Sequence, residues 1–448
     1  MTAYLLERAW LDGGMRDDVL VEVEYGRFTS VTPDADPLRA IPVRGLVVPG
    51  LANTHSHAFH RALRGRTQRE RGTFWTWRDQ MYDVAARLDP ETYLALARAT
   101  YREMAAAGIT AVGEFHYLHH QPDGTPYADP NEMGLALVDA AREAGIRITL
   151  LDTLYLSSGF GAAPEGAQVR YSDGSVHAWL ERVQGLVTGL RPSSTNGGTI
   201  QVGLAAHSVR AVPADALRVL GEYVDDAQGG VPLHVHLSEQ VAENDACLAA
   251  HGVTPTRLLA DAGVLGPMTS LVHATHLTDA DVALIGGAGA FAAFCPTTER
   301  DLGDGIGPSR ALHDAGAALT LGSDSHALID PFEEMRAVEL DERLATQQRG
   351  HWTAAELLEA GTDNGHRSLG WPDAGAIAVG MRADLVVLDP ATTRTAGTGR
   401  DENTVVFAAV AEDVRRVMAD GRWIVQDGDR AEVGRELDDV IRQIWEKA

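Results

Sequence analysis

The stretch Val47-Val48-Pro49-Gly50-Leu51-Ala52-Asn53-Thr54-His55-Ser56-His57 decides how this chain is read. An apolar run reaches a turn, and two histidines stand two residues apart at its carboxyl end. Side chains at i and i+2 of a strand share a face, so both imidazoles can reach one ion. Imidazole is the commonest nitrogen ligand for zinc and iron. The pair gains its meaning from residues farther along the chain.

Working outward, strands alternate with helices from about residue 49 to 372. The expected strands are Leu46–Asn53, Thr110–Phe115, Arg147–Tyr155, Thr199–Ala206, Pro232–Leu237, Ser270–Ala274, Ala290–Cys295 and Ala318–Gly322. Their cores are nearly continuous apolar runs, as parallel strands buried on both faces require. The clearest helix is 89–107, with Asp89 as N-cap, Pro90 at its first position and Gly108 just past its end. Eight βα units predict a TIM-like (β/α)8 barrel of the α/β class with insertions. A doubly wound sheet would carry a glycine-rich dinucleotide turn after a strand, and none is present.

Both ends of the chain read differently. Tyr4–Trp10, Leu20–Tyr25 and Phe28–Thr32 are short alternating strands, and the pattern returns at Gly380–Asp389, Val414–Ala419 and Arg422–Gln426. Residues 1–48 and 373–430 are therefore expected to form one small β-sandwich around the barrel of 49–372. In residues 431–448, Val433, Leu437, Val440 and Ile444 recur at helical spacing, predicting an amphipathic C-terminal helix.

Composition narrows the function classes. The 38 basic and 63 acidic residues give a net charge of −25. Such a surface repels nucleic acids and anionic membranes, so neither is expected as a partner. The longest uncharged apolar run, Val282 to Cys295, is shorter than the ~18 residues of a membrane span. Cys247 and Cys295 are far apart and make no disulfide framework, which suits the cytoplasm. Lys447 is the sole lysine, so no Schiff-base or metal-bridging lysine lies within the fold.

In a barrel of this kind the site lies at the carboxyl ends of the strands. Strand 1 ends in His55 and His57, strand 5 in His234-Val235-His236, strand 6 in His273, and strand 8 in Ser323-Asp324. The expected metal ligands are His55, His57, His236 and Asp324. His236 is preferred to His234 because it lies nearer the strand end, and His273 to His276 because it terminates the apolar run. Glu239, three residues after His236, is placed as a proton shuttle. Strand 4 ends His207-Ser208-Val209-Arg210 without a lysine, so one divalent ion is expected, zinc or ferrous iron. Such an ion would lower the pKa of a bound water, with Glu239, His273 and Asp324 as the catalytic groups.

His-x-His, His-x-x-Glu, a strand-6 histidine and a strand-8 aspartate resemble the amidohydrolase superfamily, in its mononuclear deaminase branch. The segment Val379-Gly380-Met381-Arg382-Ala383-Asp384 in the small β-domain is similar as well. Five further segments narrow the likeness: His55–Phe59, Phe74-Trp75-Thr76-Trp77-Arg78, Glu114-Phe115-His116-Tyr117, His207–Val212 and Leu302-Gly303-Asp304-Gly305-Ile306. Together they resemble deiminases that convert N-formimino-L-glutamate to N-formyl-L-glutamate and ammonia in histidine degradation.

The resemblance implies a small substrate with carboxylates, and a homodimer. Two arginines suit those carboxylates, because a guanidinium matches a carboxylate in bidentate fashion. Arg210 follows strand 4 and Arg78 lies in the tryptophan-rich loop after strand 1. Tyr117 and His207 are implied as hydrogen-bonding partners, and His60 stands where relatives are expected to carry glutamine. Trp75 and Trp77 read equally as core or as site wall. The competing readings are a deaminase of guanine or an adenosine derivative, an N-acyl amino acid hydrolase, and a non-catalytic barrel. The last should have lost ligands, and none is missing.

Overall fold

The computed structural model describes the chain except residues 37–39, 69–70, 73, 191–197, 227–229, 427–429 and 447–448, and gives only the backbone of Phe74 and Trp75. Lys447 and the Trp75 side chain thus lie outside the described residues.

Among the described residues, fifteen strands fall into two sheets. β5 (Leu51–Ser56), β6 (Ile109–His116), β7 (Arg147–Leu154), β8 (Ile200–Ser208), β9 (Leu233–Leu237), β10 (Thr269–His273), β11 (Phe291–Phe294) and β12 (Ala318–Leu321) form an eight-stranded sheet in sequence order. Every recorded pair in it is parallel. The ring closes where the chain leaving β12 meets β5. Thr54 Oγ1 donates to the Leu321 carbonyl at 3.0 Å, and Asp324 N–H donates to the His55 carbonyl at 3.0 Å. The expected barrel is present, and its closure places Asp324 beside the two histidines.

β1 (Thr2–Leu11), β2 (Gly14–Glu24), β3 (Arg27–Thr32), β4 (Ile41–Pro49), β13 (Leu385–Leu388), β14 (Val414–Ala419) and β15 (Arg422–Val425) form the second sheet. Its order is β15-β14-β13-β4-β1-β2-β3, so both chain ends contribute. It curls around its own apolar cluster, which includes Leu6, Val21, Phe28, Val47, Leu385 and Met418.

One expectation needs correcting. The run Leu46–Asn53 is not one barrel strand. It breaks at Gly50: β4 pairs with β1 and β13, and β5 pairs with β6. Glycine is required at the pivot, since a Cβ there would sit 2.3 Å from Thr110 Oγ1 and 2.7 Å from the Asp384 Cβ. β4 also adds a strand to the N-terminal set that alternation alone did not reveal.

The tryptophan-rich segment expected as a loop is helical instead: Phe74–Arg78 opens α1 (Phe74–Arg87), which precedes α2 (Pro90–Ala106). Asp89 caps α2 through a reciprocal box with Thr92. The C-terminal helix Arg430–Glu446 buries Val433, Leu437, Val440 and Ile444. Trp445 Nε1–H, on the same helix, donates to the Ala62 carbonyl at 3.0 Å.

Candidate active site

Ligand atoms of His55, His57 and His236 lie within 4.8 Å of one another, and all three residues are buried. Those of His57, His60 and Asp324 are equally close. Asp324 Oδ1 is 3.5 Å from His55 Nε2 and 3.4 Å from His57 Nε2. The four residues chosen as metal ligands therefore converge. His234 is buried two residues down β9 and belongs to neither cluster among the described residues.

Neighbouring backbone sets the tautomers. His57 Nδ1–H donates to the Phe115 carbonyl and His236 Nδ1–H to the His207 carbonyl, each at 2.9 Å. Each ring is left with a bare Nε2 lone pair facing the cluster. His236 Nε2 and His55 Nε2 are 3.0 Å apart. Among the described residues no backbone carbonyl fixes the His55 tautomer, and with its Nε2 unprotonated three imidazole nitrogens and the Asp324 carboxylate face one point, a donor set that fits a divalent ion. Burial lowers the pKa of His55, His57 and His236, which favours the neutral, ligating form.

The proton-handling groups are adjacent. His273 Nε2 is 3.7 Å from Asp324 Oδ2 and 3.8 Å from Glu239 Oε1. Burial disfavours the imidazolium, but Glu239, Glu299 and Asp324 outweigh it and push His273 up to about 10. Burial also raises the Glu239 carboxyl, with His273 opposing. For Asp324, burial acts upward, yet contact with His55 and His273 holds it below the usual carboxylate range. Non-glycine residues at these strand ends take left-handed φ: Ser238 at +50°, His273 at +70°, Ala274 at +47° and Asp324 at +38°. Such conformations cost of order 1 kcal/mol each and cluster where side chains must be aimed.

Above this cluster, one cavity is walled by Arg78, Arg210, His60, Tyr117 and His207. All five sequence-derived substrate residues therefore share a wall with Glu239, His273 and Asp324. His60 Nε2 and Tyr117 Oη are 3.1 Å apart. Arg78 stacks over the Tyr82 ring, at 5.6 Å to its centroid. Trp77 lines the cavity and meets His60 edge to face, settling it as site wall.

Sequence reasoning missed Met81, Tyr82, Tyr155, Tyr171 and Leu302, which complete the lining. Tyr155 ends the apolar run of β7, and its hydroxyl feels both Arg210 and Arg78. Its position at a strand end was the available signal. Tyr171, in the turn Gly166–Tyr171, carried none.

Beneath the metal cluster, Glu114 on β6 accepts from Ser56 Oγ at 2.5 Å and from the Ala58 N–H at 2.7 Å. It thereby fixes the backbone on either side of His57. Burial pushes Glu114 up to about 7.

The model of the amidohydrolase family matches residues 46–424. The chain belongs to the amidohydrolase family. It is 40% identical to the formimidoylglutamate deiminase of Pseudomonas aeruginosa, over 96% of each chain. A 5-methylthioadenosine/S-adenosylhomocysteine deaminase of Natronomonas pharaonis is 28% identical over 92% of this chain and 88% of its own. Among solved structures, an amidohydrolase from Brucella melitensis superposes with a TM-score of 0.89 at 31% identity. That alignment covers 99% of this chain and all of the other. This amidohydrolase is an enzyme of carbon–nitrogen bond hydrolysis, with a histidine-rich cluster at the barrel mouth.

Proposed function

We propose that this chain hydrolyses N-formimino-L-glutamate to N-formyl-L-glutamate and ammonia. One observation carries the reading: Arg78 and Arg210 share a cavity with the hydrolytic cluster. A substrate with two carboxylates satisfies both cations. A neutral purine offers a guanidinium no carboxylate to grip in bidentate fashion. The activity named for the Pseudomonas relative supports the same choice.

One divalent ion, zinc before ferrous iron, would be held by His55, His57, His236 and Asp324, supplying Lewis acidity and a water of lowered pKa. Glu239 takes a proton from the attacking water and delivers it to the departing nitrogen. His273, held cationic among carboxylates, hydrogen-bonds the oxygen that becomes the formyl carbonyl, and Asp324 takes the second proton and passes it to the same nitrogen, which leaves as ammonia with both water protons. The formimino carbon gains oxygen as the C–N bond to ammonia breaks, and the glutamate nitrogen stays attached. Arg210 and Arg78 hold the carboxylates, with Tyr117, His207 and His60 completing the hydrogen bonds.

The reaction belongs to histidine breakdown. Two free, buried cysteines and the acidic surface support a cytoplasmic enzyme with no nucleic-acid partner. Among the described residues no helix is long and apolar enough to cross a membrane. A homodimer is proposed on the family likeness.

Substrate labelled with carbon-13 at the formimino position tests the bond cleaved. Conversion to N-formylglutamate is expected in the NMR spectrum; labelled formamide with free glutamate would refute the reading.

A further inference from the structure

β11 gives nothing to the metal cluster, yet the next segment of chain, 295–305, touches the supports of both proton-handling side chains. Glu299 Oε1 lies 3.4 Å from His273 Nδ1 and also accepts the Cys295 N–H at 2.8 Å. Five residues on, the Asp304 carboxylate accepts a hydrogen bond from the Gln240 side-chain amide. Gln240 directly follows Glu239 and stands at the N-cap position of the helix Val241–His251, with no side-chain capping bond to it.

The same loop is tied a second time. The Asp304 carbonyl accepts from His276 Nε2–H at 2.8 Å, while Asp304 N–H donates to the Glu299 carbonyl at 2.9 Å. His276 donates its backbone N–H to the Ser238 carbonyl at 3.0 Å. Asn244, on the helix after Gln240, donates its side-chain amide to the His276 carbonyl at 2.6 Å. His276 is thus no ligand. It clamps the loops after β9 and β11 together, around the left-handed Ser238 that aims the chain at Glu239. Asp304 is 4% exposed, and one of its oxygens has no hydrogen-bond partner. Burial, reinforced by Glu239, pushes it up to about 8. A carboxyl kept at this depth is costly, and its one side-chain bond goes to the neighbour of Glu239.

We propose that Asp304 is a positioning residue: through Gln240, with His276 as second tie, it sets where the Glu239 carboxyl stands against His273 and the metal cluster. Glu299 performs the matching task for His273. The proposal rests on Glu239 carrying the proton, as assigned above.

The test is a cycle on the metal-loaded enzyme: wild type, Asp304→Ala, Asp304→Asn, Gln240→Ala and the Asp304→Ala/Gln240→Ala double variant. The readouts are kcat, KM, metal content and Tm. Misplacement by about 1 Å costs up to roughly 100-fold, so Asp304→Ala and Gln240→Ala should each lose about 10- to 100-fold in kcat at unchanged KM and metal content. Asp304→Asn still accepts from Gln240 and should recover most of that loss. The double variant should be no worse than the poorer single.

Wild-type kcat in Gln240→Ala, equal losses in Asp304→Ala and Asp304→Asn, or a multiplicative double variant would each overturn the proposal. Should Asp304→Ala not fold, Gln240→Ala against Asp304→Asn decides by the same criteria. Wild type that releases no ammonia from N-formimino-L-glutamate would refute the substrate instead. The cycle would then be run, and judged alike, on the purine derivative it does turn over.

Discussion

Replacing Arg210 with alanine removes one of the two cations assigned to the substrate carboxylates, and the structure sets how much should be lost. The Arg210 side chain is 25% exposed, and its nearest acid is Glu243, 3.9 Å away. That contact is too long for a hydrogen bond, so the guanidinium fork is open to a ligand. Charge-assisted bonds contribute about 1.5–3 kcal/mol each, and partial exposure discounts a bidentate pair to about 3 kcal/mol in total. This corresponds to roughly 150-fold in kcat/KM. Glu243 should not inflate the penalty: burial already pushes its carboxyl up to about 7, and losing Arg210 moves it further toward the neutral form. Steady-state ammonia release measures the effect, with metal analysis on the same preparations. N-formimino-4-aminobutyrate and N-formimino-2-aminobutyrate, each lacking one carboxylate, supply the control. With the analogue missing the group that Arg210 holds, wild type and variant should become alike. An equal penalty on every substrate, or loss of metal, would refute the assignment.

Three further outcomes are expected of the same structure. Chelation should abolish activity and zinc restore it, while His236→Ala should bind less than one equivalent by elemental analysis; full occupancy in that variant would contradict the ligand set. Arg147 pairs with Asp384 in the interior, where β7 meets the second sheet. Arg147→Met should therefore cost about 3–5 kcal/mol in chemical denaturation, because it strands a buried carboxylate, and an unchanged midpoint would contradict the pairing. Glu114 has a folded pKa of about 7 against 4.5 in the unfolded chain, so the folded state binds the extra proton between those values. Its contribution is fully present below pH 4.5 and is lost as pH rises toward 7, about 3 kcal/mol in all. In metal-free protein, Glu114→Gln should flatten that fall relative to wild type; parallel curves would contradict it.

The barrel was legible because its strands are buried on both faces and read as unbroken apolar runs. The convergence of the candidate ligands was legible because metal sites draw on a few residue types, and strand ends fix where those types can meet. His55, His57, His236 and Asp324 satisfy both conditions. The break at Gly50 was not legible, since Val48 and Leu51 are equally apolar and the pivot exists only through the approach of Thr110 and Asp384. The wall was half legible. Arg78 and Arg210 declare themselves by charge, whereas Tyr171 reaches the cavity from a turn far along the chain. Supports such as Glu114 and Asp304 act through backbone groups and neighbours, so their sequence carries no spacing rule.

Ammonia release under steady state from N-formimino-L-glutamate, beside guanine and S-adenosylhomocysteine, tests the central claim most directly. Turnover of the first is expected, with at most marginal release from the other two. Turnover of either purine compound, with none from N-formimino-L-glutamate, would contradict it.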